Sequence, residues 1–253
     1  MTEKLVRHME DRGIHRVIMD DGANALDLPL LAALGERIAR LRADGARPLL
    51  LASSHPSLFS PGWDLKVLAG ATKQRVSEVL AAFNAVILEL FSYPGPTAAA
   101  ITGHAVAGGC LLAMACDLRV MASGRPRLGL AELNLGVPVP APSLIMLRSR
   151  IGAGALDETV FAGDGWSAER ARDLGMVHRV FSTEKVVIAA DRELRKLGSK
   201  PARAYAATKE FLFKDAWRLM AASNPPDDDV FLDCWFDPAT QNRITEVVRN
   251  LGR

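Results

Sequence analysis

The sequence predicts an α/β fold. Short apolar runs with strand character alternate with amphipathic segments at helical spacing, and the stretches joining successive strands are long enough for crossovers. No shift in composition divides the chain until about Ser199.

Arg16 to Met19 reads as a strand closed by the turn cluster Asp20-Asp21-Gly22. From Leu28 to Arg42 apolar residues recur at helical spacing (Leu31, Leu34, Ile38, Leu41), and Pro29 suits the first helical turn. Asp44-Gly45 ends this helix, and Pro48 to Ala52 is a second strand. Ser53 to Asp64 is a loop rich in Ser, Pro and Gly. A long helix spans Thr72 to Phe91, with Val76, Leu80, Phe83 and Ile87 on one side, and Tyr93-Pro94-Gly95-Pro96 stops it. Thr97 to Thr102 forms a strand, Gly108-Gly109 opens a helix running to Cys116 that is apolar all round, and Asp117 to Met121 forms another strand. From Lys200-Pro201 the chain becomes a more polar helical tail.

The bulk properties fit one domain, or one domain with an appendage: 253 residues, 49% hydrophobic and 24% charged, with a formal net charge of +2. That balance calls for neither nucleic acid nor an anionic membrane. Three cysteines (Cys110, Cys116, Cys234) at spacings that fit no metal site read as reduced thiols of a cytoplasmic protein. Met1 to Asp11 lacks the apolar core of a secretory signal, and no stretch reaches membrane-span length.

Three segments carry chemistry. In Leu58-Phe59-Ser60-Pro61-Gly62-Trp63-Asp64-Leu65, a Gly between Pro and a bulky aromatic implies a sharply turned backbone, which is either a surface turn or a means of aiming an N–H at a ligand. In Ala98 to Leu112, a buried strand turns through Gly103 into a helix opened by Gly108 and Gly109. The first helical N–H groups lack intrahelical partners and sit at the positive dipole end, an arrangement suited to an oxyanion, although tight packing also favours small residues. In Leu128 to Pro138, Glu132 stands inside an apolar stretch. Burial would raise its pKa into the proton-shuttling range, whereas an exposed helix face would leave it an ordinary carboxylate.

Together, in this order and spacing, the three segments resemble the signature of the enoyl-CoA hydratase/isomerase (crotonase) superfamily. Phe59-Ser60-Pro61-Gly62-Trp63-Asp64-Leu65 resembles its F-S-A-G-x-D-L loop, Ala107-Gly108-Gly109-Cys110 with Cys116-Asp117 its G-G-G-C…C-D element, and Asn24-Ala25-Leu26 its N-A-L segment. The resemblance covers roughly Ile14 to Val180. It implies a spiral of ββα units over residues 1–198 that binds acyl-CoA, followed by a helical region, 199–253, used for packing into a homotrimer or dimer of trimers. It assigns the oxyanion donors to the N–H groups of Trp63 and Gly108 and the acid/base to Glu132. The ligand-binding surface would include Ala25, Ser60, Pro61, Gly62, Asp64, Leu65, Leu111 and Leu135. No metal or redox cofactor is implied, since CoA arrives as part of the substrate.

Hydratases of the superfamily carry a second glutamate at the position of Leu111, and dienoyl-CoA isomerases and hydroxyacyl-CoA hydrolases an acid near that of Pro140. Neither side chain here can do that work. The pattern looks most like the mitochondrial-type Δ3,Δ2-enoyl-CoA isomerases, in which one glutamate moves a double bond. Decarboxylation, weak hydration and acyl-CoA binding without catalysis are the alternatives. The remaining candidates have structural readings: His104 as a hydrogen-bonded turn residue, His55 and His178 as structural or exposed, Lys66 as solvated, Asp64 as a turn stabiliser, Arg148 and Arg150 as facing solvent, and Phe231, Trp235 and Phe236 as a packing anchor.

Overall fold

A computed structural model describes residues 4–222 and 225–251. Residues 1–3 of the N-terminal segment and 223–224 and 252–253 of the C-terminal region lie outside the described residues.

The chain opens with a hairpin, β1 (Val6–Asp11) and β2 (Ile14–Met19), turned at Arg12 and Gly13, both with positive φ. The sequence reading missed β1, because an edge strand with one wet face is rich in polar residues. α1 (Leu28–Ala43) begins at Asp27, whose carboxylate accepts from the Leu30 N–H, and buries Leu31, Leu34, Ile38 and Leu41. β3 (Leu49–Ser53) follows. The expected loop from Ser53 to Asp64 contains a short strand, β4 (Leu58–Ser60), and a single-turn helix, α2 (Leu65–Leu68), follows it. α3 (Lys73–Phe91) is capped by Thr72 and followed by β5 (Thr97–Ile101), β6 (His104–Val106) and the fully buried α4 (Gly108–Ala115). Next come β7 (Leu118–Ala122), β8 (Leu128–Gly129), α5 (Glu132–Leu135), α6 (Ala141–Arg150) and α7 (Ala153–Phe161). β9 (Gly165–Trp166), α8 (Ala168–Asp173), β10 (Arg179–Phe181) and α9 (Thr183–Gly198) complete the body.

The strands form two sheets, one in the order β1-β2-β3-β5-β7-β10 and one in the order β4-β6-β8-β9. Successive turns of chain give one strand to each sheet: β3 and β4, β5 and β6, β7 and β8. β4, β6 and β8 are parallel neighbours. Adjacent strands sit about 4.8 Å apart, so the segments leaving their C-terminal ends must emerge side by side.

The C-terminal region is helical as expected, and its inner face completes the core of the same chain. α10 (Ala202–Ala221) packs on α3 and α6, α11 (Pro225–Trp235) on α3, and α12 (Pro238–Leu251) on α2 and α5. Met220, Phe231, Leu232, Trp235 and Ile244 belong to the main apolar cluster. The expectation that Arg150 faces solvent is corrected: its side chain is 7% exposed and donates to Asp117 Oδ1 and the Ala115 carbonyl, both at 3.1 Å. Its guanidinium lies 4.7 Å from the ring centroids of both Phe91 and Phe213. Asp117 also accepts from Lys209 Nζ at 2.8 Å, from the Tyr205 hydroxyl and from the Thr97 N–H. Burial acts to raise the Asp117 pKa, but Lys209 and Arg150 outweigh it and hold the carboxyl below its ordinary value. This network ties α10 to the sheet. Asp117→Asn leaves two buried cations without their counter-charge and is expected to cost about 3–5 kcal/mol, read as a lowered urea midpoint at constant slope.

Candidate active site

Trp63 lies just beyond β4, where the chain bridges in parallel to Leu26. Leu26 donates to the Gly62 carbonyl at 2.7 Å and accepts from the Asp64 N–H at 3.1 Å. Along an extended backbone, polar groups point alternately to the two sides. With 62 and 64 bonded to Leu26, the Trp63 N–H faces the other way. It donates to no protein group among the described residues. Gly62 makes the turn with φ +93°, and a Cβ there would sit 3.1 Å from the Gly108 nitrogen and from the Val106 carbonyl oxygen.

Gly108 opens α4, so its N–H has no intrahelical acceptor, and it too donates to no protein group among the described residues. The peptide is aimed by Ala107, at φ 49° and ψ −124°, a region that a residue with a Cβ adopts at a cost of about 1–3 kcal/mol. Its place is fixed by the Ala107 N–H donating to Gly129 O and its carbonyl accepting from the Leu111 N–H. Gly109 must lack a side chain, because a Cβ there would lie 2.2 Å from the Ser60 carbonyl oxygen. Two unspent amides, brought close by the contact between the β4 and β6 exits, therefore flank one spot.

Glu132 begins α5, at the exit of β8. It is 8% exposed, and its Oε2 accepts from the Ala131 N–H at 2.9 Å. Burial raises its pKa to about 7, with hydrogen bonds from the backbone of Glu132 and Ala131 pulling the other way. The exposed-carboxylate alternative is thus excluded.

Trp63, Gly108 and Glu132 all line one cavity of about 530 Å³. Pro61, Leu65, Leu111 and Leu135 line it as well. The rest of the sequence-derived set holds the loop in shape without facing that cavity. Ser60 donates to the Asn24 carbonyl at 2.8 Å and accepts from the Gly62 N–H at 3.2 Å, while Asp64 caps α2 through the N–H groups of Lys66 and Val67. Ala25 is half-buried beside Asn24, whose amide donates to Ser53 Oγ and Phe59 O and anchors the same loop.

His55 accepts from the Ser57 and Leu58 N–H groups, and His178 accepts from the Arg119 N–H, with burial lowering its pKa to about 4. His104 lies in β6 and not on the cavity wall. Lys66 and Arg148 are exposed. Among the described residues no cluster of three or more His, Cys, Asp or Glu could hold a metal, and no helix is long and apolar enough to cross a membrane.

Sequence reasoning missed the far wall. Phe231 and Trp235 line the cavity, as do Arg243, Glu246 and Val247 of α12. The periodicity of α11 and α12 marks helices, but nothing in it says which distant surface they cover. Phe83 was visible only as one member of an apolar helix face.

A profile of the family described as Enoyl-CoA hydratase/isomerase matches residues 10–233. The chain belongs to this family. Enoyl-CoA hydratase/isomerase relatives include mouse mitochondrial methylglutaconyl-CoA hydratase, 32% identical over 199 residues, covering 76% of this chain and 62% of that protein. Another is mouse mitochondrial enoyl-CoA hydratase domain-containing protein 2, 33% identical over 188 residues, covering 73% of this chain and 63% of that protein. The chain thus spans somewhat under two thirds of the length of these relatives. In structure it is similar to human mitochondrial Δ3,Δ2-enoyl-CoA isomerase, with a TM-score of 0.93, 25% identity and coverage of 98% of both chains. The Mycobacterium ulcerans enoyl-CoA hydratase EchA3 superimposes with a TM-score of 0.83 at 27% identity, covering 90% of this chain and 99% of that one. The crotonase fold, with two sheets and a helical C-terminal region, is therefore that of the family.

The raised pKa of Glu132 sets a stability signature. The folded state holds this proton more tightly than the unfolded chain, so its contribution is complete below the ordinary glutamate pKa and is lost as pH rises towards and through about 7. Glu132→Gln does not titrate. Its stability relative to the parent is expected to rise by about 3 kcal/mol between acidic and mildly alkaline pH, as followed by denaturant titration across that range.

Proposed function

We propose that this acyl-CoA enzyme moves the double bond of a 3-enoyl-CoA into conjugation with the thioester. The observation that carries the reading is a single buried carboxyl, poised near neutral pH, on the same cavity as two unspent amides. Deprotonated Glu132 takes a proton from C2. The C2–H bonding pair shifts toward the carbonyl, and the enolate oxygen rests against the N–H groups of Trp63 and Gly108. The enolate then collapses with the double bond moving to C2–C3, and the carboxylic acid returns the proton to C4. Each oxyanion donor of this kind is worth about 3–4 kcal/mol of barrier.

Hydration is the second reading, favoured by the hydratase names of the relatives. Adding water needs a second polar group to orient it. Leu111 is apolar, and Glu246, although on the cavity wall, is exposed to solvent on α12. Support therefore falls on isomerisation. The proposed working unit is a homotrimer or dimer of trimers, for which the exposed Phe211, Leu212 and Leu219 on the outer side of α10 offer an apolar face. Sedimentation is expected to give three or six chains, and a charged substitution at Phe211 to shift the mass downward.

Incubation with a 3-enoyl-CoA is expected to yield the 2-enoyl thioester, with the rate rising as pH passes about 7. Glu132→Gln is expected to lower turnover by roughly 10²–10⁴. Accumulation of a 3-hydroxyacyl-CoA would instead establish hydration, and tight CoA-thioester binding without turnover would make the chain a binding protein.

A further inference from the structure

Four aromatic rings meet beside the two amides. The Trp63 ring centroid lies 5.9 Å from that of Phe83, 5.4 Å from Phe231 and 5.6 Å from Trp235. Phe231 and Trp235, one helical turn apart on α11, stack on each other at 6.2 Å. The cluster begins at the oxyanion glycine itself: a methyl group placed on Gly108 would touch Trp63 Cδ1 and Phe83 Cε2, each at 3.3 Å. All four residues line the cavity. The Trp63 indole joins the loop that carries one amide to α3 and α11.

The charges on the cavity are arranged unequally. Glu132 is buried, whereas Arg243 and Glu246 line the cavity from α12 and are exposed. Arg243 lies near the end of α5, its Nη1 2.9 Å from where a Cβ on Gly136 would sit, whereas the wall formed by Trp63, Phe83, Phe231 and Trp235 is ring face.

We propose that Trp63 is the specificity-determining residue of this site: its indole, held by Phe83, Phe231 and Trp235, closes the acyl-binding end of the cavity, so that the enzyme takes an apolar, uncharged acyl group of limited length. This rests on the enolate reading for the direction in which the acyl group points. A flat conjugated acyl chain leaving the amide pair runs along ring faces, which favour offset stacking. A terminal carboxylate laid against these ring faces would lose its water, and the rings themselves offer it no counter-charge.

The test compares the parent with Trp63→Leu and Phe231→Leu on a ladder of hexenoyl-, octenoyl-, decenoyl- and dodecenoyl-CoA, scored by kcat/KM. The saturated thioesters of the same lengths are measured in parallel by calorimetry, and a carboxyl-terminated acyl-CoA is included. Either variant is expected to raise the dodecenoyl-to-hexenoyl ratio by roughly tenfold, with the saturated ladder shifting in the same direction, and the parent is expected to discriminate against the carboxyl-terminated ligand. If Trp63→Leu does not fold, Phe231→Leu alone carries the test. An unchanged length profile in a folded variant, or a parent that prefers the carboxyl-terminated ligand, overturns the proposal. The saturated ladder reads the pocket without chemistry, so a shift there with no isomerisation removes the reaction and leaves the ring wall standing. Loss of all acyl-CoA binding by the parent removes both.

Discussion

The parallel pairing of β4, β6 and β8 is the constraint on which the rest of the site depends. Each strand is only two or three residues long. Their neighbouring positions nonetheless force three chain segments, far apart in sequence, to leave the sheet at one edge. The turn at Gly62, the start of α4 and the start of α5 are what follow. A shift in register at any of these strands would separate the Trp63 amide, the Gly108 amide and Glu132, and no side-chain adjustment could restore them.

Local chemistry then sharpens what topology brings together. An amide is available to a ligand only if the fold spends its neighbours elsewhere. Leu26 achieves this at Trp63 by bonding to residues 62 and 64, and the helix start achieves it at Gly108. The conformation of Ala107 is a local cost accepted at the same spot, held in place by bonds on both sides of the residue. Glu132 is treated in the opposite way. Burial costs its ionised form more than the adjacent amides return, and a carboxyl so balanced exchanges its proton near neutrality. Donors left unpaired and an acid left nearly undecided between its two forms are both arrangements that an ordinary core would avoid.

The C-terminal helices close the cavity and are fastened from behind. Lys209 and Tyr205 of α10 reach the Asp117 carboxylate, which Arg150 also grips from α6. α11 then lays Phe231 and Trp235 against Trp63, and α12 covers α5, where the Thr240 hydroxyl donates to the Gly136 carbonyl. The same residues thus serve core and site, so that the wall of the cavity inherits the rigidity of the packed interior.

The sequence by itself determined several of the long elements. The apolar periodicity of α1 and α3, the all-apolar α4 and the strands β2, β3, β5 and β7 are local patterns with local causes. It also marked Gly62, Gly108 and Glu132 as unusual, because a glycine beside bulky neighbours and a carboxylate in an apolar run conflict with their surroundings in one dimension. The strands β1, β4, β6, β8, β9 and β10 escaped notice, being too short or too polar for a periodic signal. The burial of Arg150 was equally hidden, since its partners Asp117, Phe91 and Phe213 come from three other parts of the chain. Only the tertiary structure decided which amides remain unspent, that Glu132 points inward, and that α11 and α12 form the far wall. Hydrogen-bond allocation, desolvation and the packing of distant helices depend on neighbours in space, and the order of residues along a chain does not name those neighbours.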